Sequence, residues 1–151
     1  MSSFSFAIQS TVFGLLNGSV ELDGLLAPHS QFQRSGIYDY VPQFADTGNN
    51  ANFPFITIGE DTLNEWATDT ATGTDATVNI HIWSREKGWS EAKKIAGAVF
   101  NALNRVEATA DGSEVIGFDW ESEESIRDSD GQTLHMISSY RVLMDEEGYG
   151  E

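Results

Sequence analysis

Cysteine is absent from this sequence of 151 residues, proline occurs only three times, and long apolar runs are missing. Without cysteine the chain can form neither a disulfide bond nor a thiolate metal site, which suits synthesis in a reducing cytosol. No segment approaches the roughly 20 uninterrupted apolar residues that cross a membrane. The first residues also lack the basic start and the apolar run of an export signal. We therefore expect a soluble product of the cytoplasm.

Basic residues are scarce as well, since 24 Asp and Glu residues stand against eight Lys and Arg residues and give a formal net charge of −16. Proteins gain affinity for nucleic acid backbones when Lys and Arg displace condensed counterions, so this chain is not expected to bind DNA tightly. A surface that repels DNA is one explanation of the acidity. High solubility, or adaptation to a salty medium, is another, and the composition leaves both open.

The length and the 40% content of apolar residues indicate one folded domain over residues 1–151. Its acidic tail, residues 145–151, is expected to be frayed. Apolar residues repeat at helical spacing in residues 5–17 and again in residues 90–105, where Ser90 is predicted to cap the helix. Gly97 interrupts the second helix at a cost of about 1 kcal/mol relative to alanine, so close approach to a sheet is expected there.

Alternating apolar residues predict short strands between and after these helices. The predicted strands are residues 37–41, 55–59, 77–83, 116–120 and 133–144, with a weaker one in residues 62–70. This order of elements predicts an α+β domain, in which a twisted, mainly antiparallel sheet has two helices packed on one face.

The histidines and tryptophans do not follow the spacing of a known catalytic or metal site. Of the three histidines, His29, His81 and His135, the last two are able to pair across neighbouring strands, but nothing supplies a third ligand nearby. The four tryptophans could form a stacking platform for sugars or bases, although packing in the core or against another subunit is favoured. They are Trp66, Trp83, Trp89 and Trp120.

Two acidic patterns also have structural explanations. The sequence Asp128-Ser-Asp130-Gly131 resembles the start of a calcium loop, but the first and twelfth loop positions would be isoleucines, so a type I turn with a glycine bulge is expected. Glu121, Glu123 and Glu124 could mimic the carboxylates of a glycosidase, yet nothing nearby assigns one as acid and another as base. We expect a solvated strand instead.

Three separated blocks of the sequence resemble the tail-completion, or tail-terminator, family of long-tailed bacteriophages, which is similar in fold to the tail terminators of lambda-type tails. The first block is GIYDYVP at 36–42, followed after a loop by FPFITIG at 53–59. The second is WSREKG at 83–88 with the helix that follows it. The third is IRDSDGQTLH at 126–135. The third block ends in YRV at 140–142, and the order of the blocks spans most of the chain from Phe6 to Leu143. The chain departs from the usual pattern in its longer acidic stretch and acidic tail.

The resemblance implies a structural virion protein with no catalytic residue, no metal and no cofactor. Six copies would form a ring that caps the head-proximal end of the tail tube and joins it to the head connector. The implied partners are further copies, the tail tube protein and a head-completion or connector protein. DNA would pass through without specific binding, and no membrane is involved. Another connector or neck subunit of the virion is the alternative, and a hydrolase that uses Asp or Glu is a third hypothesis.

Two groups of residues are expected to serve assembly if this interpretation holds. Acids expected to face the channel are Glu121, Glu123, Glu124, Asp128 and Asp130. A polar loop is expected to order on assembly and to contact a neighbour or partner. Its candidate contact residues are Gln43, Phe44, Asp46, Asn49, Asn50 and Asn52.

Overall fold

The structure is a computed structural model, and it describes residues 4–26, 36–39, 53–67, 72–110 and 114–146. Within these residues the chain forms three helices and six strands. In chain order they are α1 (Phe4–Asn17), α2 (Val20–Leu25), β1 (Ile37–Tyr38), β2 (Phe55–Ala67), β3 (Thr72–Ser84), α3 (Ser90–Leu103), β4 (Glu107–Ala110), β5 (Glu114–Arg127) and β6 (Leu134–Glu146).

The strands form one sheet in the order β1-β2-β3-β6-β5-β4. Strand β1 runs parallel to β2, whereas all the other neighbouring pairs are antiparallel. The predicted α+β class with a mainly antiparallel sheet is therefore confirmed. The long hairpin of β5 and β6 follows from the tight turn after Arg127, because antiparallel neighbours need only a short connection.

The hydrophobic core lies between the helices and one face of the sheet. Alternation along each strand turns every second side chain toward the helices, and full burial of such a side chain contributes about 1.5–3 kcal/mol. The buried residues from the central strands include Ile80, Ile82, Met136, Tyr140 and Val142. Those from α1 and α3 include Ile8, Val12, Leu16, Ile95, Val99 and Leu103, which confirms that both predicted helices pack on the same face.

The beginning of α3 differs from its predicted form. Ser90 is the first helical residue and does not cap the helix. The carboxylate of Glu86 accepts the hydrogen bond from the backbone N–H of Glu91 at 3.3 Å instead. The hydroxyl of Ser84 donates to the Glu91 carboxylate at 2.8 Å. Two carboxylates therefore lie at the positive end of the helix, where negative charge is stabilising.

The prediction that Gly97 lets α3 approach the sheet is wrong. Gly97 is exposed, and a Cβ atom placed on it would meet no described atom within 4 Å apart from its neighbours and the backbone of its own helix. The buried side chains of α3 include Ala92 and Ala96, whose small size permits close packing. The helix therefore carries its glycine on the outer side.

Several strands are longer than their sequence patterns predict. Strand β2 joins the predicted segment 55–59 to residues 62–67 of the weaker predicted segment 62–70 through an irregularity after Gly59, and residues 68–70 lie outside the described residues. Strand β5 continues past Trp120, through the acidic residues, to Arg127. Strand β6 extends to Glu146 and so includes the first two residues of the predicted frayed tail. The four-residue strand β4 was not predicted, because an edge strand this short has no readable alternation.

Candidate assembly surfaces

The sheet face opposite the helices carries a row of stacked rings, in which Phe55 and His81 are buried. Strand pairing sets Phe55 opposite Trp83 and Trp83 opposite His135. The Trp83 and His135 rings are nearly parallel, with centroids 3.8 Å apart, and Phe55 stacks on Trp83 at 6.1 Å. The indole N–H of Trp83 donates to the hydroxyl of Thr57 at 3.1 Å. These contacts rigidify the end of the sheet near the hairpin turn.

A pair of histidines continues this row. Nδ1 of His81 and Nε2 of His135 lie 2.7 Å apart, so one ring donates a hydrogen bond and the other accepts it. The predicted pairing across neighbouring strands is therefore confirmed. Within the described ranges, no group of three or more His, Cys, Asp or Glu residues is placed to hold a metal ion. The pair joins β3 to β6. The third histidine, His29, lies outside the described residues.

The acidic arm, which we define as residues 119–130, continues β5 to the tip of the hairpin. All of its side chains are exposed. Strand β4 pairs with β5 only at residues 114–117, so among the described strands the outer edge of residues 121–127 has no neighbour. Charged side chains on such an edge disfavour indiscriminate pairing with other strands.

The structure does not place the three glutamates of the acidic arm on one face. Glu123 lies opposite Ser138, on the helix side, whereas Glu124 lies opposite Ile137, on the side away from the helices. The register shifts between Trp120 and Ser122, and the extra residue there is Glu121. The arm therefore presents negative charge on both faces and at its edge.

The tip of the acidic arm is a hydrogen-bonded turn from Asp128 to Gly131, at the position of the predicted type I turn. The N–H of Gly131 donates to the carbonyl of Asp128 at 3.0 Å, and Gly131 has a φ angle of 73°. The Asp130 carboxylate accepts hydrogen bonds from the hydroxyl of Thr133 at 2.6 Å and from the N–H groups of Thr133 and Gln132, each at 2.8 Å. These bonds lower the pKa of Asp130 to about 2. Asp130 therefore stabilises the turn.

Replacing Asp130 by asparagine is expected to weaken the hairpin in a pH-dependent way. The pKa of about 2 in the folded chain lies below the ordinary value of 3.8. The carboxylate therefore stabilises the fold above about pH 4, and its contribution is lost as the pH falls toward about 2. The urea midpoints of the wild type and Asp130→Asn should differ near neutral pH and converge in acid.

Asp128→Asn is the control, because the Asp128 side chain accepts a single bond, from the N–H of Ser129. An undiminished difference in acid would contradict this account.

The tryptophans do not form a common platform. Trp83 belongs to the stacked row, and Trp89 is partly buried against the core. Trp120 is 43% exposed on the helix side, where its ring contacts that of Phe100 edge-on at 6.4 Å. The backbone N–H of Trp120 donates to the side-chain oxygen of Asn104 at 3.0 Å. The side chain of Trp66 lies outside the described residues, as do all six candidate contact residues of the loop 43–52.

Sequence reasoning did not select the outer face of α3, which we define as Lys93, Lys94, Gly97, Phe100 and Asn101. All five residues are exposed. The signal was present in the helical periodicity, because these positions fall on the arc opposite to the apolar stripe that was used to predict the helix. An exposed phenylalanine on that polar arc is the feature that distinguishes it.

Comparisons with known proteins agree with this architecture. The family model for tail completion protein gp17 matches residues 10–145. A chain from a solved structure described as "Virion of native gene transfer agent (GTA) particle" is similar in fold, with a TM-score of 0.77 and 18% sequence identity. The match covers 96% of this chain and 99% of that chain. No curated protein matches the sequence significantly. Since the family model spans nearly the whole domain, the chain belongs to the tail completion protein gp17 family and is a structural protein of a phage-type tail.

Proposed function

We propose that this protein caps the head-proximal end of a long phage tail tube as a hexameric ring and joins it to the head connector. The observation that carries the proposal is the family match over residues 10–145, which includes every element of the sheet. The exposed aromatic pair and the uncovered strand edges are features of a protein that completes its surface by contact with other subunits. The described residues contain no helix of the length and apolarity needed to span a bilayer.

Contacts between copies in a closed ring join two different surfaces of the same chain. The sheet supplies one such surface at each end of its strand order. Strand β1 pairs with β2 only at Ile56 and Thr57, so within the described residues the outer edge of β2 is uncovered beyond that point. The outer edge of β5 is uncovered at the other end. Both edges carry acidic residues, which disfavour indiscriminate pairing of strands. Specific side-chain contacts must therefore determine which surface each edge binds.

We assign the acidic arm to the channel through which DNA passes. Six copies of a chain with a net charge of −16 make a strongly negative ring. Like charges repel phosphates, and the arm sets six acids against a single basic residue, Arg127, so little counterion release is available to hold the DNA. Glu121, Glu123, Glu124, Asp128 and Asp130 are the proposed channel acids. The loop 43–52 remains the proposed contact with the tube or the connector.

Phage particles made without this protein test the proposal. Without the cap, we expect tail tubes of irregular length or tails that carry no head, because growth is not ended and the docking surface for the connector is missing. Negative-stain electron microscopy gives the length distribution and the fraction of tails with heads. Addition of purified protein to such tails should restore head joining. Tails of normal length with heads attached, formed in the absence of the protein, would overturn the proposal.

A further inference from the structure

The outer face of α3 is flat at its centre. Residues three and four positions apart are neighbours on a helix surface, so Gly97 lies between the two lysines, Lys93 and Lys94, on one side and Phe100 and Asn101 on the other. Apart from the neighbouring residues and the helix's own backbone, no described atom lies within 4 Å of the position that a Cβ atom of Gly97 would take. A glycine at this point lets the backbone of a partner come close to the helix.

An aromatic pair borders this flat centre. Phe100 is 40% exposed and Trp120 is 43% exposed, and their rings meet at an interplanar angle of 71°. The Trp120 backbone is held by Asn104 and is followed directly by the bulge in β5. Bulges re-aim side chains, and aromatic side chains held in this way are the anchors of many protein interfaces. Burial against another protein removes this apolar surface from water.

The outer face of α3 carries basic charge, although Asn101 at its edge donates a hydrogen bond to the Glu21 carboxylate at 3.1 Å. Lys87, Lys93 and Lys94 are all the lysines of the sequence, and they lie on α3 and in the turn before it. In the described parts of the chain, ion pairs are made by Arg85 and Arg141, and none includes a lysine. Among the described residues these three exposed lysines form no ion pair, so they are available to acids of another molecule, in a chain with three acids for every base.

We infer that the outer face of α3, together with Trp120, docks against the acidic surface of the next copy of this chain. A second copy is the occupant because its surface is acidic and so complements the lysines. The outer face of α3 and the acidic surface that it meets are different parts of the chain, and the acidic arm is left to the channel. The contact therefore joins unlike surfaces and propagates from copy to copy. This inference rests on the proposed ring and adds a helix surface to the contacts that close it.

The substitution Gly97→Gln tests the contact without damaging the fold. Gly14 in α1 is the matched control, because it is also exposed and a Cβ atom on it would also meet nothing. Either glutamine should improve helix formation, so both variants should melt at the wild-type temperature or a few degrees above it. Only Gly97→Gln places a side chain in the centre of the contact. It should raise the dissociation constant for self-association by at least about thirtyfold. Equal assembly of the two variants, in solution and on tails, would overturn the inference.

Charge reversal gives a second and independent readout. The variant Lys93→Glu/Lys94→Glu should assemble poorly, and carbodiimide cross-links from these lysines in mixed ¹⁴N- and ¹⁵N-labelled wild-type samples should join different copies. Cross-links confined to one copy would overturn the inference. It would also be overturned if Lys93→Glu/Lys94→Glu assembled normally and lost only the ability to bind DNA, because the lysines would then serve DNA and not the contact between copies. If the wild type forms no ring in solution or on tails, the proposed function itself fails. If the ring forms and these variants form it equally well, only the α3 contact fails.

Discussion

The Tyr140→Ala variant is expected to lose about 3–5 kcal/mol of the free energy of unfolding, whereas Tyr140→Phe is expected to lose none. Tyr140 is fully buried and is among the largest buried side chains of the core. Its removal therefore leaves a large cavity between the sheet and the helices. The phenylalanine variant fills the same space and deletes only the hydroxyl group.

Tyr140→Phe is expected to lose no stability because it removes only the hydroxyl of Tyr140, which is buried and unpaired. It has no hydrogen-bond partner among the described residues, and the same is true of the buried hydroxyl of Ser138. Burial raises the pKa of Tyr140, and the charge of Glu123 raises it further. An unpaired buried hydroxyl costs about 1–3 kcal/mol, so its deletion should be neutral or stabilising.

Urea unfolding at neutral pH, followed by circular dichroism, measures both effects on Tyr140. Ser138→Ala is the matched control for the unpaired hydroxyl, and it should also unfold at the wild-type urea concentration or above it. A loss of more than about 1 kcal/mol in Tyr140→Phe would contradict this account, because a loss of that size indicates a hydrogen-bond partner for the hydroxyl.

Neutralising the acidic arm is expected to reduce infectious particles at least about tenfold while the fold stays intact. The variant combines Glu121→Gln, Glu123→Gln, Glu124→Gln and Asp128→Asn. These side chains are exposed, and no glutamate among them forms an ion pair with a described residue, so their charge does little for stability. Asp130 is left unchanged because it stabilises the hairpin turn. With less negative charge at the channel wall, DNA phosphates are repelled less and passage slows.

A charge-retaining variant, Glu121→Asp/Glu123→Asp/Glu124→Asp, separates charge from side-chain shape. It should support normal infectivity if charge is what the channel needs. The readouts are plaque counts, the rate of DNA release and the urea midpoint of each purified variant. If both variants lose infectivity equally, or if the neutralised arm unfolds as infectivity falls, the acids do not serve DNA passage.

The parts of the fold that sequence predicted well are those where one side of an element is buried. Ile95 and Val99 repeat at helical spacing because they face the sheet, and Ile80 and Ile82 alternate because every second residue meets the helices. The turn before Gly131 was also predicted, since aspartate and glycine at these spacings form such turns by local hydrogen bonds. In each case the signal lies within a few neighbouring residues.

The assembly surfaces were harder to predict because no buried side marks them. The extension of β5 through Glu123 and Glu124 is exposed on both faces, so it shows no alternation of apolar and polar residues. Which side of α3 carries Gly97 depends on where the helix meets the sheet, and a glycine alone does not reveal it. The contact between the His81 and His135 rings was anticipated only as an option, since the strand register that creates it joins residues 54 positions apart.

The measurement that tests the central claim most directly is cryo-electron microscopy of the junction between head and tail in intact particles. The account predicts a single sixfold ring of this domain between the last ring of the tail tube and the head connector, with the outer face of α3 against the neighbouring copy. Absence of the domain from this junction would contradict the account, and density for it elsewhere in the neck would identify the protein as a different connector subunit.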